Sequence, residues 1–122
     1  MVFAETVPQK SVVFPNTTGA DLEQGDFAVV GPFAGIADGD IAEDAVGSFH
    51  VEEGIRVNTA DLVYGGDTFA TLGQPVFWDE SSLAFSDTET AGYYLVGYLL
   101  EVKDANGAIA FEKRRYAVEI SS

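Results

Sequence analysis

From Gly25 to the C-terminus, short runs rich in β-branched and aromatic residues are cut at close intervals by Gly, Asp and Asn. Punctuation of that kind admits strands and leaves little room for helices. The chain therefore reads as an all-β domain, a small sandwich or barrel-like (β-tulip-like) fold, spanning residues 21–122 behind an extended N-terminal arm, residues 1–20.

The individual strands follow from the same signals. Phe27–Val30 and Phe33–Ala37 are separated by Gly31-Pro32, where proline's missing donor forces a turn or a sheet edge. In 46–52, Phe49 and Val51 fall on one face and Ser48, His50 and Glu52 on the other, the pattern of a half-buried strand that Ile55, Val57 and Thr59 continue. Residues 60–73 are broken by Gly65-Gly66 and read as a loop with a short helical turn. Pro75–Asp79 and Leu83–Phe85 flank Glu80-Ser81-Ser82 as a hairpin, with Trp78 packed in the core. The run 93–102 is almost continuously apolar, which predicts a strand covered on both faces, and Gly97 inside it predicts a bulge or a close backbone approach. Asp104-Ala105-Asn106-Gly107 is the strongest turn signal. In the strand that follows, Ile109 and Phe111 lie at odd positions but Tyr116, Val118 and Ile120 at even ones. A bulge is therefore predicted near 113–115, turning Lys113, Arg114 and Arg115 outward.

With 122 residues and 47% hydrophobic side chains, one core fits and two do not. Twenty Asp and Glu against six Lys and Arg give a net charge of -14, which repels nucleic-acid phosphates and anionic lipid, so no direct nucleic-acid or membrane partner is expected. Self-repulsion of that size weakens with screening. The melting temperature should therefore rise between about 0.05 and 0.5 M salt, and a fall over that range would contradict this reading of the charge. There is no cysteine, hence no disulfide framework and no thiolate metal site. The first 20 residues carry no secretory pattern and no apolar run reaches membrane-spanning length, so a soluble chain made in the cytoplasm is expected.

The arm sets small apolar groups (Val2 and Phe3, Val7, Val12 to Phe14) between Pro8 and Pro15. Without a core of its own, it is expected to order only against a partner surface. Val2, Phe3, Val7, Pro8, Val12, Phe14 and Pro15 are accordingly the candidate contact residues.

Catalytic constellations are missing. His50 is the only histidine, so a zinc cluster has no material and a triad would need distant segments to converge on it. Carboxylate pairs are too abundant for any one to mark an acid/base dyad. Asp38-Gly39-Asp40 lacks the spaced acids and terminal Glu of a calcium loop, and no Gly-rich loop is followed by Lys and a helix. No catalytic residue, metal or cofactor is assigned, and an enzyme is not expected. The rival reading is a carbohydrate-binding or adhesion module, in which Trp78, Phe77, Tyr93, Tyr94 and Tyr98 form an exposed stacking row.

The ordered set Gly25-Asp26-Phe27-Ala28-Val29-Val30-Gly31, Phe33-Ala34-Gly35-Ile36-Ala37, Gly47-Ser48-Phe49-His50-Val51, Gly73-Gln74-Pro75-Val76-Phe77-Trp78-Asp79 and Tyr94-Leu95-Val96-Gly97-Tyr98-Leu99-Leu100 resembles the small capsid cement, or head decoration, proteins of tailed phages. The chain differs from their usual pattern at Gln74, where they carry Asp, and in a longer 61–73 segment. The resemblance implies a β-rich subunit on the outside of the virion that binds the major capsid protein and bridges capsomers. It also implies a homo-oligomer, with a trimer favoured, and carries over no catalytic residues.

Overall fold

The computed structural model describes residues 10–52, 54–57, 63 and 67–121. Among these there is no helix, and the strands are β1 (Ser11–Pro15), β2 (Phe27–Val30), β3 (Phe33–Ala37), β4 (Val46–His50), β5 (Gly54–Val57), β6 (Pro75–Asp79), β7 (Ala84–Ser86), β8 (Tyr94–Glu101) and β9 (Ile109–Glu119). All pairings between them are antiparallel, in the order β1-β4-β3-β9-β8-β6-β7, with β2 on the other side of β3 and β5 beside β9. The result is one large sheet that does not close on itself.

The sheet gains its two cores by folding over β2 and β3. Side chains alternate across a strand, so Phe27 and Val29 face one way and Ala28 and Val30 the other. On the first side Val29 and Ala34 meet Trp78, Phe85, Val96, Ile109 and Phe111 from β6 to β9. On the second, Ala28 and Val30 meet Val12, Ala37, Ile41, Phe49 and Val51. Phe27, Trp78 and Phe85 pack ring to ring at centroid distances of 4.7 to 5.0 Å, which fixes the centre of the first core.

A buried polar residue ties the loops over the second core. Asn16 donates from Nδ2 to the carbonyls of Ala20 (2.8 Å), Ile41 (3.1 Å) and Ala42 (3.3 Å), and its Oδ1 accepts from the amide (3.1 Å) and hydroxyl (2.7 Å) of Thr18. Nothing in the sequence reading singled it out. Asn16→Ala strands several buried groups at once and should lower stability by about 2–3 kcal/mol, read as a lower urea midpoint.

Several expectations change here. Residues 1–20 are expected to form an extended arm without a core; of the part that is described, Ser11–Pro15 is an end strand of the sheet, paired with β4 from Ser11↔His50 to Pro15↔Val46. Strand β8 is only partly covered: Val96, Gly97 and Leu99 are buried, while Tyr98, Leu100 and, just past the strand's end, Val102 are exposed. In β9 the pairing with β8 does shift opposite Leu95–Gly97, but Tyr116 and Val118 point to solvent and Ala117 packs on the core. Lys113, expected to point outward, is buried.

Candidate functional site

Of the seven candidate contact residues, Val2, Phe3, Val7 and Pro8 lie outside the described residues. The other three sit on β1, where strand alternation divides them. Val12 is 6% exposed and belongs to the second core. Phe14 is half-buried, its ring edge-on to Phe33 at 5.6 Å and standing over Gly31, where a Cβ would lie 2.5 Å from it. Pro15 alone is exposed. Val13, which lies between Val12 and Phe14 in the same apolar group, is 73% exposed, and Val46 on β4 is 64% exposed. Val13, Pro15 and Val46 share the outer face of the β1–β4 pair, because Val13 stands opposite Ser48 and Pro15 opposite Val46. A period-two reading of 11–15 was the signal that separates Val13 from its neighbours.

Among the described residues strand β1 pairs on one side only, so its other edge offers backbone groups beside that apolar face. Two further outcrops interrupt the acidic surface. Tyr98 and Leu100 near the end of β8 and Val102 just beyond it are exposed, with Pro75 opposite Tyr98 and exposed Leu72 nearby in the chain. Tyr116 stacks on Phe33 at 5.6 Å with the Arg115 guanidinium about 6 Å from both rings (6.0 and 5.9 Å), and exposed Val118 stands opposite Leu95.

Of the residues weighed for chemistry, Asp38 is engaged by two serines. The hydroxyls of Ser11 and Ser48 both turn to Asp38, at 3.4 and 2.7 Å. Among the described residues, no three His, Asp or Glu side chains gather as a metal-holding group. The aromatic row needed for sugar stacking is also broken. Trp78 is 2% exposed and Phe77 4%, both within the sheet's interior. The Trp78 indole N–H donates to the Glu80 carboxylate. Burial pushes the Glu80 carboxyl above its usual range, opposed by the donated bonds from Trp78 and the Val29 amide, while nearby Asp79 pushes it further up.

The fold and its surface define the class: an antiparallel β subunit whose apolar residues crop out on outer faces and beside a strand edge unpaired among the described residues. The comparisons give that class a particular identity. A family model described as phage cement protein matches residues 6–115 of the 122, and the chain belongs to that family. Membership implies a capsid-stabilising role in a phage virion, as a structural subunit. No curated protein and no solved structure gives a significant match.

Proposed function

We propose that the protein binds the outer surface of the major capsid lattice and stabilises the head by bridging neighbouring capsomers. The observation that carries this reading is the apolar face of Val13, Pro15 and Val46 beside the edge of β1 left unpaired among the described residues, in a chain of the cement family. An extended segment of a capsid subunit can add to such an edge through main-chain bonds, while the adjacent apolar face sets which segment fits. The preceding residues Val2, Phe3, Val7 and Pro8 extend the same contact. The net charge of -14 favours keeping the rest of the surface in solvent and away from packaged DNA. A homotrimer is the assembly that the resemblance implies, and the outcrops on β8 and around Tyr116 are the surfaces offered to neighbouring copies.

Heads lacking the protein test this directly. Wild-type chain should sediment with them saturably and raise the temperature at which they burst. The double variant Val13→Asp, Val46→Asp places charge on an exposed face without touching a core. It should keep its far-ultraviolet circular dichroism and bind at least about tenfold more weakly, since desolvating each new carboxylate costs over 1 kcal/mol. Binding unchanged in that variant would remove the β1–β4 face from the contact. A native mass other than three chains would remove the trimer.

A further inference from the structure

The described residues leave an open cleft of about 510 Å³ beside β2, near where Glu80 accepts from the Val29 amide, walled by Leu22, Phe27, Ile36, Ile55, Trp78 and Leu83. Phe27, Ile36 and Ile55 are half-buried, and Leu83 stands at 55% exposure with its backbone in the left-handed region (φ 53°). The rim carries the acids Asp21, Asp26 and Glu80, with Arg56 the one base among the lining residues.

We propose that this cleft seats the N-terminal segment of the same chain, with Val2, Phe3 and Val7 as the inserted side chains. The proposal goes beyond head binding, since it concerns the protein before it meets a head. Its first support is the strand register. Ser11 stands opposite His50, His50 opposite Ile36, and Ile36 opposite Phe27, so the four form one row across β1, β4, β3 and β2. Residues in such a row point to the same face, and neighbouring strands lie about 4.8 Å apart, which puts Ser11 roughly 10 Å from the Ile36 wall of the cleft. The Lys10 carbonyl accepts from the Val51 amide at 2.8 Å, so the chain's departure point is fixed at the end of that row. Nine residues reach up to about 30 Å when extended, ample for the distance.

The second support is charge. Residues 1–10 contain one acid, Glu5, and one base, Lys10, in a chain whose side chains sum to -14. An apolar, nearly neutral segment can approach a rim bearing Asp21, Asp26 and Glu80, whereas an acidic surface of a second copy is repelled. Tethering adds the third support: a segment held beside the cleft has an effective concentration on the order of millimolar, which a second copy at micromolar concentration does not match. The seated segment keeps its apolar residues from water until a head competes for them.

The chain has no cysteine, which makes a disulfide test clean. In full-length protein, Phe3→Cys paired with Leu83→Cys should oxidise to a monomeric disulfide at least tenfold faster than Phe3→Cys paired with Leu72→Cys, Leu72 being exposed but outside the cleft lining. Separately, a single Leu83→Cys thiol should react with maleimide at least fivefold faster when Phe3→Asp is added. Equal oxidation rates for the two pairs, or an unchanged maleimide rate, would overturn the proposal. A Leu83 pair that appears only as disulfide-linked dimers would overturn it in favour of a second copy's segment. Neither assay contains heads, so failure here leaves the capsid reading standing, and failure to bind heads leaves this one standing.

Discussion

Gly97→Ala should lower stability by about 3 kcal/mol or more and the melting temperature by roughly 10 °C, because it places a methyl where two strands already touch. A Cβ built on Gly97 of β8 lies 2.2 Å from the Glu112 carbonyl oxygen and 2.6 Å from the Phe111 ring, both on β9. Neither can yield cheaply. Phe111 is fully buried at the centre of the first core, and Glu112 is held by pairs on both sides, Tyr98 on β8 and Gly54 on β5. The site also follows a register shift. The pairs Leu95↔Val118 and Gly97↔Lys113 set a step of two residues on β8 against a step of five on β9, so the extra backbone of β9 bulges next to the glycine. Gly39→Ala is the matched control. A Cβ there meets nothing within 4 Å and no unusual φ holds the backbone, so stability should change by less than about 0.5 kcal/mol. Thermal melts of the two variants decide the matter: similar midpoints would mean that β8 and β9 part easily at Gly97.

The close approach at Gly97 was legible in the sequence, as were the bounds of β2, β3 and β6, because in each case the signal is local. A glycine interrupting an apolar run, or a Gly-Pro between two runs, constrains the backbone wherever the chain goes next. Strand β1 was harder. Its five residues alternate correctly, but its pairing partner β4 lies more than thirty residues away, and two prolines made the segment look like an arm. The same non-locality hid the exposed face of β1 and β4. Val12 and Val13 are chemically identical neighbours, and only the side of the sheet that receives Phe49 and Ile41 decides which one is buried. In β8 the unbroken apolar run predicted two covered faces, and Tyr98, Leu100 and Val102 prove exposed. An apolar residue kept for a partner and one kept for the core have the same composition.

Lys113 is the position where sequence and structure diverge furthest, and Lys113→Met should cost about 2 kcal/mol at pH 7, with the gap to wild type widening as pH rises. The side chain is 5% exposed, at the point where β9 passes from its pairing with β5 to its contact with β3. Its ammonium donates to the carbonyls of Ala34 (2.6 Å), Arg114 (2.8 Å) and Val51, using all three of its protons. Ala34 belongs to the first core and Val51 to the second, so one cation fastens segments of both cores. Methionine fills a similar volume but leaves those carbonyls without their donor. Removing one side of a buried polar contact is costly in a way that replacing both sides is not. Against this stands the cost of burying the charge. Burial lowers the Lys113 pKa from 10.5 to about 8, with nearby Arg115 adding to the shift and Glu52 opposing it. The folded protein therefore binds fewer protons than the unfolded chain between about pH 8 and 10.5, and stability from this group rises across that window and is lost as pH falls through about 8. Methionine has no such titration. Urea melts of both proteins at pH 7 and pH 10 should show the wild-type advantage growing by on the order of 1–3 kcal/mol. A gap that narrows with pH would mean the carbonyl cage holds the ammonium more tightly than burial disfavours it, and no gap at pH 7 would mean the three carbonyls find other donors.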